Sequence, residues 1–149
     1  MRRVPTPVTV VTIGGTEPRG ITIGSFVTVS LEPPLVSFNV QHSARIHDSL
    51  LAAERFAVHV LSSDQGSHSE LFADPELSGA EQLSQVMHRL DASGVPVLDG
   101  VLSRFLCSVE GTQTAGDHTI VVGRVLELEA RDSGDALLYL NRAYRSLGD

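Results

Sequence analysis

The most informative segment of the chain is Thr22-Ile23-Gly24-Ser25-Phe26-Val27-Thr28-Val29-Ser30-Leu31-Glu32-Pro33-Pro34-Leu35. Its four hydroxyl side chains alternate with apolar residues, and Gly24 has no side chain to hold a ligand away from the backbone. The pattern predicts a strand wall for a flat ligand, with hydroxyls at the ligand's polar edge. An ordinary strand with Thr and Ser facing solvent gives the same pattern, so both interpretations stay open at this point.

Strand-like segments flank this region on both sides. Residues 8–13 and 20–23 share a β-branched pattern broken by glycines, which predicts a hairpin. Residues 35–40 predict a third strand, one face of which carries Val36, Phe38 and Val40. Further strands are predicted at residues 56–61, 103–111, 118–130 and 136–140.

Short helices interrupt these strands. Ser43 can cap a first helix that carries Ile46, Leu50 and Ala53 at helical spacing. Ser63 or Asp64 can cap a second helix with Leu71 and Phe72, and a third is predicted over residues 80–90. Regular alternation of strand and helix is missing, so the pattern indicates a mainly β, antiparallel barrel or sandwich.

Composition limits the classes of protein that this chain can be. Its 149 residues suit one domain spanning 1–149, with 42% hydrophobic and 19% charged residues. No apolar segment approaches the ~20 residues of a membrane helix, so we expect no membrane association and a cytoplasmic location. A net charge of −7 with 11 basic residues argues against nucleic acid as a partner. The single cysteine, Cys107, lies in an apolar run and is interpreted as a buried, unreactive thiol.

A second cluster, Gln41-His42-Ser43-Ala44-Arg45, lies at the predicted start of the first helix. Free backbone N–H groups, the positive end of the helix dipole, a hydroxyl and an arginine together form a site that suits a phosphate. Ser43 as a plain helix cap with Arg45 in solvent explains the residues equally well.

A third cluster is Gly116-Asp117-His118, where a turn brings a histidine to the start of a strand. The six histidines form no paired metal motif, so no metal site is predicted. Nucleophile elbows, phosphate-binding loops of the Walker type and Rossmann glycine fingerprints are also missing from the sequence, which weakens the hydrolase, triphosphatase and classical dehydrogenase interpretations.

In order and spacing, the chain from about residue 8 to residue 147 resembles the flavin reductase-like family. The resemblance is strongest in Thr22-x-x-Ser25-Phe26-x-x-Val29-Ser30-Leu31-x-Pro33-Pro34-Leu35 and continues through Phe56-Ala57-Val58-x-Val60-Leu61 and Gly116-Asp117-His118-x-Ile120. It implies a homodimeric, antiparallel split β-barrel of Greek-key type that binds FMN or FAD near the dimer interface.

The resemblance also implies which residues form the site. The flavin ring and ribityl chain would lie against Thr22, Gly24, Ser25, Phe26, Thr28, Val29 and Ser30. Ser43, Ala44 and Arg45 would meet the phosphate, and His118 would lie beside the nicotinamide. The chain departs from the family at three positions. The family usually has Asn or Ser at the position of Gly24, Ser at that of Thr28 and Asn at that of His59.

The function that this resemblance implies is hydride transfer from NADH or NADPH to the bound flavin, which then supplies a monooxygenase. Such a reaction asks the protein to align two rings and to stabilise charge at the flavin edge, which explains a site without a catalytic triad. Two alternatives use the same barrel without this reaction: a non-catalytic flavin-binding protein and a haem-binding protein.

Overall fold

The computed structural model describes residues 1–147, which contain twelve strands and three helices. The strands are β1 (Thr6–Pro7), β2 (Thr9–Ile13), β3 (Arg19–Ile23), β4 (Val27–Leu31), β5 (Pro34–Gln41), β6 (Phe56–Val60), β7 (His88–Leu90), β8 (Pro96–Leu98), β9 (Ser103–Ala115), β10 (His118–Ala130), β11 (Leu138–Leu140) and β12 (Ala143–Arg145). The helices are α1 (His47–Ala52), α2 (Gly66–Ala73) and α3 (Gly79–Leu83). The predicted mainly β class with a few short helices is confirmed.

Seven strands form the main sheet, in the order β3-β2-β6-β9-β10-β5-β4. Every strand pair within residues 1–147 is antiparallel, including the predicted hairpin of β2 and β3. The expected closure into a barrel is wrong at the level of backbone pairing, because β3 and β4 remain the two margins of the sheet. Smaller sheets, β1-β11-β12 and β7-β8, lie outside it.

Two apolar clusters lie on opposite faces of β2 and β3. The larger cluster encloses Val36, Phe38 and Val40, as the alternation along β5 predicts, together with Ile46 and Leu50 from the region of α1. The smaller cluster joins the other face of β2 to the residues of α2 and α3 and includes Val8, Val10, Leu61, Phe72 and Leu83. Helices α2 and α3 are thereby fixed against the margin of the sheet.

The starts of two helices differ from prediction. Ser43 does not cap α1, because residues 41–47 form two consecutive turns, with Ala44 N–H bonded to Gln41 and His47 N–H to Ala44, and the helix begins only after Ile46. Residue Gln65, not Ser63 or Asp64, precedes α2, since its side-chain oxygen accepts the N–H of Ser62 and its backbone already turns into the helix.

The third predicted helix is too long. Helix α3 ends at Leu83, and residues 88–90 form β7, which pairs with β8. The carboxylate of Asp91 explains this change: Oδ1 accepts the N–H groups of Ser93 and Val95 and closes the turn between the two strands.

Strands β9 and β10 form a long hairpin of 13 residues each. The predicted bounds of β10 are confirmed, whereas β9 continues past residue 111 to Ala115. Gly116, with φ +62°, makes the turn possible and places His118 at the first position of β10.

Candidate functional site

One hydrogen-bonded tie links the margin strand β3 to β5. The hydroxyl of Ser25, two residues after β3, accepts the N–H of Asn39 at 2.9 Å and donates to the carbonyl of Asn39 at 3.4 Å. Strands β3 and β5 run in opposite directions within the sheet. From the Ser25–Asn39 hydrogen bonds, the N-terminal part of β3 and the C-terminal part of β5 therefore extend in the same direction. The gap between them is called here the seam.

A cleft of about 470 Å³ opens at this seam. Its walls come from the first residues of β3, the turns after β5, and the segment from the end of α2 to α3: Arg19, Gly20, Ile21, Gln41, Ser43, Ala44, Arg45, Ile46, Phe72, Ala73, Asp74, Pro75, Glu76 and Gln82. A cleft of this size lies within the ~300–1,000 Å³ range of small-molecule sites.

The cleft holds two arginines without carboxylate partners. Within residues 1–147, neither Arg19 nor Arg45 has a carboxylate oxygen within 4.0 Å. Arg45 extends from the double turn that also places Ser43 and Ala44 at the cleft, so the three predicted phosphate residues come together. The sequence analysis missed Arg19, whose place in the cleft depends on contacts distant in sequence.

The hydroxyl of Thr22 is engaged within the protein. It donates to the carbonyl of Ser69 in α2 at 2.6 Å, and the hydroxyl of Ser69 accepts from Tyr144 at 2.9 Å. Thr22 therefore points toward α2, on the face of β3 opposite the larger core cluster, and its hydroxyl is already bonded.

The segment after β3 positions Gly24 and Phe26 differently. A Cβ built on Gly24 would lie 3.3 Å from the hydroxyl oxygen of Thr6, so part of the space of the missing side chain is occupied by β1. The ring of Phe26 packs against Phe105 with centroids 5.2 Å apart and extends the larger core cluster.

Strand β4 carries the remaining ring-side candidates along an open edge. A bulge between Thr28 and Ser30 lies at Val29, whose side chain is 53% exposed. Within the described part of the chain, the hydroxyls of Thr28 and Ser30 make no hydrogen bond, so both are available to a ligand.

His118 lies next to the cleft. Its backbone pairs with Gln41 of β5, and its side chain is 42% exposed. Nδ1 lies 2.7 Å from Oδ1 of Asp117, and this hydrogen bond is the main reason that the pKa of the Asp117 carboxyl is lowered. Because Nδ1 faces the carboxylate, Nε2 is the nitrogen left for another partner.

Two buried titratable groups take no part in this site. Burial lowers the pKa of His59 to about 4, so its ring is neutral; Nδ1–H donates to the carbonyl of Val10, and Nε2 accepts the N–H of Leu98. Burial raises the pKa of Cys107 to about 12 and agrees with the prediction of an unreactive thiol. No group of three or more metal-ligating side chains occurs within residues 1–147.

The fold and the cleft define a class of protein before any comparison: an antiparallel β domain with an open cleft, of the size of a small-molecule site, lined by two arginines, the hydroxyl of Ser43 and two carboxylates. Comparison with known proteins gives the family. The family model "Flavin reductase like domain" matches residues 1–148, and the chain belongs to this family.

Three relatives show how far the similarity extends. The chain is 38% identical over 151 residues to an NADH-dependent FAD reductase of Streptomyces globisporus, covering 97% of this chain and 83% of the relative. It is 41% identical over 140 residues to the FMN reductase (NADH) SmoA of Agrobacterium fabrum, covering 93% and 78%. The crystal structure of BorF, the flavin reductase component of a bacterial two-component tryptophan halogenase, superposes with a TM-score of 0.92 at 39% identity, covering 99% of this chain and 94% of BorF.

Proposed function

We propose that this protein reduces FMN or FAD with NADH and passes the reduced flavin to a monooxygenase. The observation that carries the proposal is the cleft at the seam of a member of the flavin reductase-like family, where Arg45, with no carboxylate within 4.0 Å in the described residues, lies beside the hydroxyl of Ser43. Relatives named as NADH-dependent FAD and FMN reductases, and a reductase component of a two-component system, support NADH as the reductant and the supply of reduced flavin as the role.

No helix within residues 1–147 is long and apolar enough to cross a bilayer. We place the reaction in the cytoplasm.

The residues present fit a flavin with its phosphate in the cleft. Arg45 has no carboxylate partner and can form charge-assisted hydrogen bonds to phosphate oxygens, with the Ser43 hydroxyl as a second donor. Ala44 contributes only its surface, because its N–H is bonded to Gln41. The ring would then lie toward β4.

On the ring side, the chain supplies position and hydrogen bonds. The hydroxyls of Thr28 and Ser30 are free to donate to the polar edge of the ring, and Val29 gives an apolar contact. A flavin held by these residues would supply the acceptor for the hydride of NADH. The hydroxyls of Thr22 and Ser25 bond to α2 and β5, so these two residues would also hold the walls of the site in position.

His118 is the candidate for contact with the nucleotide. Asp117 accepts the hydrogen bond of His118 Nδ1–H, so Nε2 carries a lone pair, is directed away from the turn and can accept the N–H of the nicotinamide amide. Its backbone pairing with Gln41 holds this group close to the same cleft. Its role is to orient the nucleotide, because hydride transfer itself needs no general acid or base here.

We also propose that the protein forms a homodimer through β4. This margin strand has an unpaired edge, and Val27, Val29 and Leu31 on it are 54%, 53% and 94% exposed. A sheet edge with such apolar side chains is a surface that proteins normally cover. A second copy of the chain would cover it beside the ring site, and gel filtration with light scattering would show a mass of two chains.

The activity is tested by mixing the purified protein, loaded with FMN or FAD, with NADH in the absence of oxygen and following absorbance at 450 nm. Loss of the flavin band is expected. A flavin spectrum that NADH leaves unchanged would replace the proposal with a non-catalytic flavin-binding protein, and a Soret band in the purified protein would indicate haem. Arg45→Ala should weaken retention of both flavins, whereas Arg55→Ala, which also removes an exposed arginine, should leave it unchanged.

A further inference from the structure

We propose that a second cleft, separate from the one at the seam, binds a small oxyanion, a carboxylate or a phosphate, through the guanidinium of Arg104. This cleft of about 290 Å³ lies where β9 begins and β10 ends. It is called here the arginine cleft, and the charged residues that line it are Arg89, Arg104, Arg131, Asp99 and Glu129. Its volume is at the small end of the ~300–1,000 Å³ range of ligand sites, which suits a small anion.

The arginine cleft is distinct from the proposed flavin site. Within residues 1–147, no residue lines both clefts. Glu129 lies roughly 35 Å from His118 along β10, at about 3.3 Å per residue. A ligand of the arginine cleft is therefore a molecule other than the flavin and the nicotinamide, and its binding does not depend on the proposed reaction.

The guanidinium of Arg104 is buried and lacks partners for most of its donors. The side chain is only 5% exposed. Nη2 donates to Oε1 of Glu129 at 2.9 Å, whereas Nε and Nη1 are buried and have no hydrogen-bond partner within the described residues. Arginine keeps its charge in proteins, and a buried charged donor without an acceptor is costly. A ligand oxygen would remove this cost.

The neighbouring side chains do not supply the missing acceptors. His59, Arg104 and Glu129 lie side by side across β6, β9 and β10, and both ring nitrogens of His59 already bond to backbone atoms. The carboxylate of Asp91 uses Oδ1 to close the turn between β7 and β8, and its Oδ2 is buried without a partner. Neither oxygen of Asp91 lies within 4.0 Å of the guanidinium. An acceptor from outside the described chain would complete the hydrogen bonds of Arg104.

Glu129 is a carboxylate that a ligand can displace. Its side chain is 63% exposed and pairs with a single nitrogen of Arg104. By contrast, Arg124 on the same hairpin binds both oxygens of Glu110, through Nε at 3.0 Å and Nη2 at 3.1 Å. Two parallel bonds are the strong geometry between arginine and an oxyanion. Glu129 does not use this geometry, so a free oxyanion that replaces it in the arginine cleft gains hydrogen bonds.

The other charges of the arginine cleft favour an anion. Neither Arg89 nor Arg131 has a carboxylate oxygen within 4.0 Å in the part of the chain that the structure describes. Three arginines thus line the cleft with two carboxylates, in a protein whose net charge is −7. A local excess of positive charge attracts anions even where the whole protein is acidic.

The experiment is calorimetric titration of succinate and of inorganic phosphate, at constant ionic strength, into protein that carries Arg45→Ala. This background removes the guanidinium at the other cleft, where phosphate would also bind. At least one of the two anions should bind with a Kd of about 1 mM or below, as a few charge-assisted hydrogen bonds provide. Adding Arg104→Leu should weaken this binding about tenfold, because the main donor is lost.

The exposed partner of Arg104 gives a test with the opposite sign. Glu129→Gln should strengthen binding about fivefold, because the internal competitor loses its charge. Glu110→Gln removes a carboxylate from the complete pair on the same hairpin and, as the matched control, should leave binding unchanged. If Arg104→Leu fails to fold, the comparison of these two exposed variants still decides.

The anion that binds more tightly identifies the group, carboxylate or phosphate, that the arginine cleft takes. Absence of saturable binding of both anions, equal affinity in Arg104→Leu, or binding that Glu129→Gln does not strengthen relative to Glu110→Gln would overturn the anion site. The proposed reduction of flavin by NADH would stand in each of these cases.

Discussion

The hydroxyl of Ser25 forms two hydrogen bonds with the backbone of Asn39, one to its N–H at 2.9 Å and one to its carbonyl at 3.4 Å. These bonds hold the segment after β3 against β5, in a sheet whose edge strands β3 and β4 do not pair with each other within the described residues. Ser25 lies in the segment between β3, which lines the cleft, and β4, so this tie adds to the packing of the larger core cluster in fixing the two halves of the proposed flavin site.

Replacing Ser25 with Ala should therefore separate effects on binding from effects on stability. We expect the free energy of unfolding to fall by about 1 kcal/mol, the usual contribution of a hydrogen bond. Flavin affinity should fall severalfold, as measured by retention in ultrafiltration. Ser84→Ala removes another exposed hydroxyl that donates to a backbone carbonyl, at 2.9 Å, and serves as the control. Equal flavin affinity in the two variants would show that the tie does not shape the site.

His118→Ala should raise the KM for NADH about tenfold with little effect on flavin retention. The physical reason is the loss of the Nε2 acceptor, which Asp117 orients by accepting the hydrogen bond of Nδ1–H. Stopped-flow reduction at 450 nm with low NADH measures the effect. His88→Ala, at a histidine whose Nδ1–H bonds to Val86, is the control. A His118→Ala protein that is reduced as fast as the wild type would exclude this role.

Stability should depend on pH through His59. Its pKa is 6.5 in the unfolded chain and about 4 in the fold, because burial disfavours the charged ring. Between pH 6.5 and pH 4, His59 is protonated in the unfolded chain but neutral in the folded chain. The free energy of unfolding is therefore highest above pH 6.5 and falls by about 3 kcal/mol in total as the pH drops through this range. Urea unfolding at pH 7.5 and pH 5 should show about 2 kcal/mol of this loss, because pH 5 is still above the pKa of about 4 in the folded protein.

His59→Asn is the matched variant for this measurement. An amide can donate to Val10 and accept from Leu98 as the neutral imidazole does, but it does not titrate. The variant should lose much less stability between the two pH values than the wild type. Parallel loss in both proteins would assign the effect to other groups.

Cys107 should not react with thiol reagents while the protein is folded. The side chain is fully buried, and its pKa of about 12 leaves almost no thiolate at pH 8. Ellman's reagent should release no chromophore from the native protein and one equivalent after unfolding in guanidinium. Rapid reaction of the native protein would mean that the strand pair of β6 and β9 opens readily.

The sequence predicted those features that short-range patterns determine. The bounds of β10 and the buried face of β5 follow from alternation of apolar residues along one strand. The start of α1 could not be predicted, since a serine before an apolar periodic segment fits both a cap and the double turn that the chain adopts. Barrel closure depends on how the sheet margins meet in space, which no local pattern describes.

The candidate site divides in the same way. Ser43 and Arg45 are adjacent in sequence and were predicted together, and they do meet at one cleft. The position of Arg19 at the cleft depends on a contact that is distant in sequence. The side chain of Gln82 in α3 hydrogen-bonds to the backbone of Gly20, 62 residues away, and holds the start of β3 against α3. The bonded state of the Thr22 hydroxyl likewise depends on α2, so its availability could not be read from the strand pattern.

A flavin bound at the seam would also stabilise the folded protein. Since the cleft walls come from β3, from the turns after β5 and from the segment after α2, an occupant joins parts of the chain that backbone pairing leaves apart. A ligand present at a hundred times its dissociation constant raises the free energy of unfolding by about 2.7 kcal/mol. Bound FMN or FAD would thereby lower the fraction of unfolded chain that a protease can cleave, which proteolysis of the purified protein with and without flavin would measure.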